Sequence, residues 1–190
     1  SLPPAQADEY RDLGVLLANQ GREREARAAY LRAAELDPRD GAALINLGNL
    51  EMRAGRPEAA IDHYRTAEAR DTANVFAYRG QVRALTGLGR TDEVGATYRR
   101  WLRRAPDDEG GRLEAVQFFA ARGRGDVAME FGRDGVRRAP RSGHARMTLG
   151  VAHGATGDAR SALLEFRRAE HFIGTSDPAT LQQVGALIGE

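Results

Sequence analysis

The stretch LINLGNLEMRAGRPEAAIDHY, residues 44–64, contains the features that recur along this chain. Its Gly55 belongs to a series spaced 34 residues apart, with Gly21, Gly89, Gly123 and Gly157. Further positions of the stretch recur at the same interval: Leu47-Gly48 with Leu13-Gly14 and Leu149-Gly150, Ala60 with Ala26 and Ala162, and Tyr64 with Tyr30, Tyr98 and Phe166. This period is the length of one helix–turn–helix unit and predicts an all-α repeat array.

The prolines set the phase of the array. Pro38, Pro106 and Pro140 are each expected just after a second helix, which gives units at 7–40, 41–74, 75–108, 109–142 and 143–176. Residues 177–190 have apolar side chains at helical spacing and are predicted to form a closing helix over the last unit. Residues 1–6 are expected to be a linker or a cloning remnant, because Pro3 and Pro4 resist helix formation.

Each unit is predicted to contain two helices joined at the recurring glycine. A glycine just after a first helix suits the left-handed backbone that ends many helices, which other residues adopt only at a cost. A single hairpin cannot bury its apolar stripe, so stability requires the units to stack. We therefore expect an all-helical solenoid of five units and a closing helix.

The composition narrows the functional classes. The chain has 190 residues and no cysteine, so disulfides and thiolate metal sites are excluded. It has no apolar run as long as a membrane span and no visible signal peptide, which leaves a cytoplasmic or a periplasmic location open. All 28 basic residues are arginine. With raised alanine and glycine, this favours a GC-rich bacterial genome over guanidinium-specific recognition.

The basic residues are concentrated in the middle of the chain, where residues 75–142 have 14 arginines and 9 acidic residues. A basic ridge away from the inner face is predicted from Arg99, Arg100, Arg103 and Arg104, with Arg133, Arg137, Arg138 and Arg141 one unit later. It could contact phosphate, or it could be a hydrated face partly neutralised by Asp107, Asp108 and Glu109. Nucleic-acid binding is not favoured, because no aromatic residues interleave with the arginines.

The residues that recur at the 34-residue interval resemble the sequence pattern of the tetratricopeptide repeat family, and the resemblance extends over nearly all of residues 7–190. The family pattern is almost intact in the first unit, as Tyr10, Leu13, Gly14, Gly21, Ala26, Tyr30, Ala33 and Pro38. The resemblance implies a right-handed α-α superhelix in which the first helices line a concave groove that holds a partner peptide. A fold alone identifies no partner, so the groove is assessed residue by residue.

The fifth and ninth residues of each unit are expected to share the inward face of the first helix, because residues four apart lie on one face. These are Arg11 and Val15, Ile45 and Asn49, Arg79 and Arg83, Leu113 and Gln117, and Met147 and Val151. In the first three units, acidic groups of a peptide would be held by Arg11, Asn49, Arg53, Arg79 and Arg83. Apolar pockets would be formed by Phe76, Leu113, Met147 and Val151.

The arginines and Asn49 also resemble the carboxylate clamp of chaperone-binding tetratricopeptide domains. Asn49 and Arg83 match that pattern, Arg11 and Arg79 keep its charge, and Val15 departs from it. The alternative is that these arginines are solvated or paired with acids such as Asp8, Asp12 or Glu51.

Catalysis has little support in the sequence. His63, His144, His153 and His171 show no metal-ligand spacing, and no glycine-rich phosphate loop follows a strand. We therefore predict no enzyme activity, no cofactor and no metal, and a scaffold that binds a protein or peptide partner, with an acidic segment as the form that the arginines would favour. Two alternatives stay open: a homo-oligomeric assembly module, and the non-catalytic arm of a larger enzyme or secretion complex.

Overall fold

The computed structural model describes residues 4–39 and 41–173, with two further single positions, 182 and 186. Over these ranges the chain forms ten α-helices and no β-strand, which confirms the all-α class. The helices are α1 (Pro4–Asn19), α2 (Glu23–Leu36), α3 (Ala42–Arg53), α4 (Pro57–Arg70), α5 (Val75–Gly87), α6 (Thr91–Arg104), α7 (Glu109–Ala120), α8 (Gly125–Arg138), α9 (Gly143–Ala155) and α10 (Ala159–Ile173). The closing helix predicted at 177–190 lies outside the described residues, except for positions 182 and 186.

The helices belong to two compact units. The N-terminal unit, Ser1–Arg104, contains α1–α6 and therefore three helical pairs. The C-terminal unit, Ala105–Glu190, contains α7–α10. Within each unit a helix packs against its neighbours in sequence, and the first helices of successive pairs also touch. Among the helices described, none has both the length and the apolar character needed to cross a membrane.

The first helix begins earlier than the sequence suggests. α1 starts at Pro4, so positions 4–6, expected to be linker, are helical. Proline is tolerated there because an amide N–H in the first helical turn has no intrahelical acceptor in any case.

The glycine series closes every first helix as predicted. Gly21, Gly55, Gly89, Gly123 and Gly157 have φ values of 75°, 72°, 71°, 68° and 79°. In each turn, the residue after the glycine donates its backbone N–H to the carbonyl five residues earlier, as Arg56 N does to Glu51 O at 2.9 Å. This is the Schellman arrangement, in which glycine avoids the steric cost of a left-handed backbone. The requirement of each turn for a left-handed residue therefore accounts for the 34-residue period of these glycines.

A second set of recurring glycines, within the first helices, contacts the recurring aromatic residues of the second helices. A Cβ atom placed on Gly48 would lie 2.5 Å from the ring of Tyr64, and one on Gly14 would lie 2.5 Å from the ring of Tyr30. Gly150 and Phe166 form the same contact in the C-terminal unit. The glycine of a first helix and the aromatic ring of its second helix are thus two halves of one contact, which brings the paired helices close together.

The N-terminal unit also buries a carboxylate. Glu51 on α3 has no accessible surface and is bound by Arg27 of α2 and Arg56 of the following turn. The Arg56 Nε–Oε2 distance is 2.5 Å. Burial alone would raise the pKa of Glu51, but hydrogen bonds from Arg27 and Arg56 outweigh it, so that the pKa is lowered. Glu51 is therefore an ionised link between two successive helical pairs.

Glu51→Gln is expected to lower the free energy of unfolding by about 1.5–3 kcal/mol at neutral pH, the range for hydrogen bonds to charged groups. A carboxyl with a lowered pKa in the fold adds stability above its unfolded pKa of about 4.3, and that contribution is lost as pH falls through the folded value. Urea denaturation at pH 7 and at pH 3 should therefore show the difference between wild type and Glu51→Gln shrinking in acid.

The control for Glu51→Gln is Glu35→Gln. Glu35 forms an exposed pair with Arg32, at 3.0 Å, and such surface pairs contribute little. A Glu51→Gln penalty that persisted unchanged at pH 3 would contradict the role given to the Glu51 charge.

Candidate peptide-binding site

The first helices of the N-terminal unit enclose a cleft, called here the first-helix cleft. It has a volume of about 500 Å³ and is bounded by α1, α3 and α5, with one residue from α2. Its lining residues are Val15, Ala18, Asn19, Tyr30, Asn46, Asn49, Met52, Arg53 and Arg83. The volume lies within the range of pockets that hold small-molecule ligands.

Two of the predicted groove residues contact each other inside this cleft. Arg83 Nη2 donates to Asn49 Oδ1 at 2.7 Å and to Tyr64 Oη at 3.0 Å. The Tyr64 hydroxyl donates to Asn49 Oδ1 at 2.8 Å. Burial raises the pKa of Tyr64 and the Arg83 charge partly opposes this, so the phenol stays a neutral donor. The network fixes the orientation of the Arg83 guanidinium and of the Asn49 amide.

Arg53 also lines the cleft and is exposed. Among the residues that the structure describes, it has no carboxylate partner. The other two predicted arginines lie outside the lining. Arg11 pairs with Asp8 at 2.8 Å, as the alternative interpretation expected, and Arg79 places its guanidinium 5.5 Å from the centre of the Trp101 ring. Glu51, named in that same alternative, binds Arg27 and Arg56 instead.

The inward face therefore differs from the one predicted by position. The ninth residue of each of the first three units lines the cleft, as Val15, Asn49 and Arg83 show. The fifth residue does not, and Ile45 packs against the core instead. The lining continues toward the C-terminal end of each first helix, at Asn19 and Arg53, four residues after Val15 and Asn49.

Sequence reasoning missed five residues of the lining: Ala18, Asn19, Tyr30, Asn46 and Met52. Asn46 and Met52 each lie three residues from Asn49, so extending the helical spacing in both directions would have found them. Tyr30 could not be found this way, because it comes from the second helix. Phe76 is 68% exposed and is not part of the cleft lining.

In the C-terminal unit, the apolar groove residues contribute to packing. Met147 is 3% exposed and belongs to a core cluster with Ala162, Phe166, Ala169 and Ile173. Leu113 and Val151 are half-buried and pack against the same cluster. Gln117 is exposed. The expectation that Met147 lines an accessible pocket is therefore wrong, because its side chain fills the space between α9 and α10.

Three arginines of the predicted basic ridge are neutralised by acids other than those expected. Arg100 binds Glu68, with Nε–Oε1 at 3.0 Å, and Arg137 and Arg138 bind Asp134. Asp108 caps α7 by accepting the backbone N–H of Gly111 at 2.8 Å. Within the described ranges, no group of three or more metal-ligating side chains is present.

Comparisons with known proteins agree with this architecture. Residues 11–75 match the family model of the tetratricopeptide repeat. The fold is shared with the crystal structure of MamA, with a TM-score of 0.59, 21% identity and coverage of 88% of this chain and 92% of that one. It is also shared with YrrB, described as a TPR protein with an unusual peptide-binding site, with a TM-score of 0.54, 19% identity and coverage of 93% and 90%.

A third structure with this fold is a thermophilic TPR protein of Thermus thermophilus, with a TM-score of 0.53, 19% identity and coverage of 97% of this chain and all of that one. In sequence, an alignment 123 positions long, which covers 58% of this chain, is 32% identical to cellulose synthase operon protein C of Komagataeibacter xylinus. The chain spans 9% of the length of that relative. The 34-residue period, the paired helices and the matching family model together support the resemblance of this chain to the tetratricopeptide repeat family.

Proposed function

We propose that the chain is a non-enzymatic scaffold that binds an extended peptide of a partner protein in the first-helix cleft. The fold supports a protein–protein interaction scaffold, and the cleft supplies the specific surface. The observation that carries the proposal is the lining itself, which combines three amide side chains with two arginines at one concave surface.

The chemistry of the lining suits a peptide with an acidic group. The side chains of Asn19, Asn46 and Asn49 offer donors and acceptors of the kind that pair with peptide backbone. Arg83 uses Nη2 for its internal bonds, so Nε and Nη1 remain available as donors to a carboxylate. Arg53 is the second guanidinium, which would allow the acidic group to be bound from two helices.

The preorganisation of Arg83 strengthens the proposal. A long side chain usually loses rotamer freedom when it binds a ligand, and that loss weakens binding. Because Tyr64 and Asn49 already hold the Arg83 guanidinium, the ordering takes place during folding. Six other residues of the predicted groove lie outside the first-helix cleft, and their role in peptide binding stays a prediction. They are Arg11, Phe76, Arg79, Leu113, Gln117 and Val151.

The test compares two double variants with equal charge change. An acidic peptide selected from an unbiased library should bind Arg53→Gln/Arg83→Gln at least tenfold more weakly than wild type, since each charged hydrogen bond contributes about 1.5–3 kcal/mol. Arg24→Gln/Arg32→Gln, on the exposed surface of α2, should retain binding. Calorimetric titration at two salt concentrations measures both, and wild-type binding should weaken as salt rises.

Equal losses in the two double variants would mean that only net charge matters. Unchanged affinity in Arg53→Gln/Arg83→Gln would remove the electrostatic part of the proposal.

A second candidate function is membership of a larger assembly. Tyr10, Leu13 and Leu16 on α1 are 39%, 43% and 55% exposed, and such an apolar stripe is typical of a contact surface. The similarity to a cellulose synthase operon protein, of which this chain spans 9%, agrees with this candidate. Light scattering tests self-association: a monomeric mass at every concentration would exclude it, and a mass that rises in wild type but not in Leu16→Glu would support it.

A further inference from the structure

A second cleft opens in the N-terminal unit between the second helices α4 and α6. It has a volume of about 790 Å³ and shares no lining residue with the first-helix cleft. Its lining consists of Arg65, Glu68, Ala69, Thr72, Tyr78, Arg100, Arg103 and Arg104. We call it the arginine cleft, because four of these eight residues are arginine and one is acidic.

The acidic residue is already satisfied. Glu68 accepts hydrogen bonds from Arg100, at 3.0 and 3.3 Å, and from Gln81 Nε2 at 2.7 Å. Burial favours the neutral form of Glu68, but these donors outweigh it and lower its pKa. The charges of Glu68 and Arg100 therefore neutralise each other, and neither is left for a ligand.

Of the three remaining arginines, Arg103 and Arg104 have no acidic partner among the described residues. Arg65 pairs with Glu93 at 3.2 Å, with both side chains about half exposed. Arg103 and Arg104 are exposed at the end of α6, and within the described part of the chain neither forms an ion pair or a side-chain hydrogen bond. After pairing, the arginine cleft keeps two positive charges, both on adjacent residues of one helix.

The cleft has no exposed aromatic face. Tyr78 lines it but is 1% exposed, and its hydroxyl is bound to the Thr72 carbonyl at 3.0 Å. The nearby Trp101 is fully buried. Proteins that bind single-stranded nucleic acids stack the bases on aromatic side chains, so this cleft lacks that means of recognition. Its chemistry is limited to guanidinium groups that hold oxygen atoms of an anion.

We propose that the arginine cleft binds a phosphate monoester dianion through Arg103 and Arg104, with Arg65 as a further donor. A phosphate monoester carries a charge of about −1.5 to −2 at neutral pH, which matches the two uncompensated arginines. Guanidinium groups bind phosphate oxygens in a bidentate geometry, and a phosphate monoester offers the two arginines three acceptor oxygens and more negative charge than a single carboxylate does.

The experiment titrates the isotope-labelled 190-residue chain with O-phosphoserine, inorganic phosphate and acetate, and follows the backbone amides by NMR. Both phosphates should shift the amides of Ala69 and Thr72, whereas acetate should not. Arg103→Gln/Arg104→Gln should weaken the binding of both phosphates by about tenfold or more. Arg24→Gln/Arg32→Gln removes the same charge from α2 and should bind as wild type does.

Each other outcome overturns the proposal. No amide shift at the cleft would show that it binds no phosphate, and equal shifts with acetate would remove the preference for a dianion. Binding of inorganic phosphate without O-phosphoserine would exclude the monoester. Equal losses in the two double variants would reduce the effect to net charge. The result is independent of the first-helix cleft, because Arg53→Gln/Arg83→Gln should leave phosphate binding unchanged.

Discussion

Trp101→Ala is expected to lower the free energy of unfolding of the N-terminal unit by about 3–5 kcal/mol, the range for removing a buried tryptophan or phenylalanine. Trp101 has no accessible surface. Its ring stacks between Tyr78, at 6.0 Å and 7°, and Tyr98, at 5.8 Å and 14°. The substitution would leave a cavity between α5 and α6. Urea denaturation followed by circular dichroism measures the loss, since the single tryptophan is removed as a fluorescent probe.

Trp101→Phe is the matched control and should cost less than about 1.5 kcal/mol. Phenylalanine keeps most of the stacking area, and it removes the indole Nε1, a buried donor that has no hydrogen-bond partner among the described residues. A Trp101→Ala variant within about 1 kcal/mol of wild type would contradict the view that this aromatic stack supports the third helical pair.

Leu50→Ala should lower the free energy of unfolding by about 2–5 kcal/mol, whereas Leu16→Ala should change it by about 0.5 kcal/mol or less. The two residues occupy the same position of successive units, 34 residues apart. Leu50 is 1% exposed because α2 packs against α3, while Leu16 is 55% exposed on α1, the first described helix. Chemical denaturation of dilute protein gives both values.

A second pair of equivalent positions provides the control. Leu47 is fully buried and Leu13 is 43% exposed, so Leu47→Ala and Leu13→Ala should differ in the same direction. Similar losses at the equivalent positions would show that burial by the preceding second helix is not what stabilises each unit.

The helical pairs could be predicted because each depends on a local requirement. The turn glycines need a positive φ, and the pairs Gly14–Tyr30 and Gly48–Tyr64 form within one unit, so both leave a regular trace in the sequence. The start of α1 at Pro4 could not be predicted, because proline is common both in linkers and in the first turn of a helix.

The candidate site could be predicted only in part. Helical spacing identified Asn49 and Arg83, but the extent of the inward face depends on how far neighbouring helices cover each side chain. The ion-pair partners of the charged side chains were harder to predict. Glu51 binds Arg27 of α2 and Arg56 of the turn that follows α3, a choice set by helix contacts that spacing along one helix does not reveal. Met147 likewise has the periodicity of a groove residue, yet α10 covers it.

Photo-crosslinking tests the central claim, peptide binding in the first-helix cleft, most directly. Benzoylphenylalanine is placed at Val15, which lines the cleft, or at Leu31, on α2 outside it; the two residues are 40% and 44% exposed. With a peptide selected from an unbiased library, the account predicts crosslinks from position 15 that excess unlabelled peptide suppresses, and few from position 31. Crosslinks mainly from position 31, or equally from both, would contradict it.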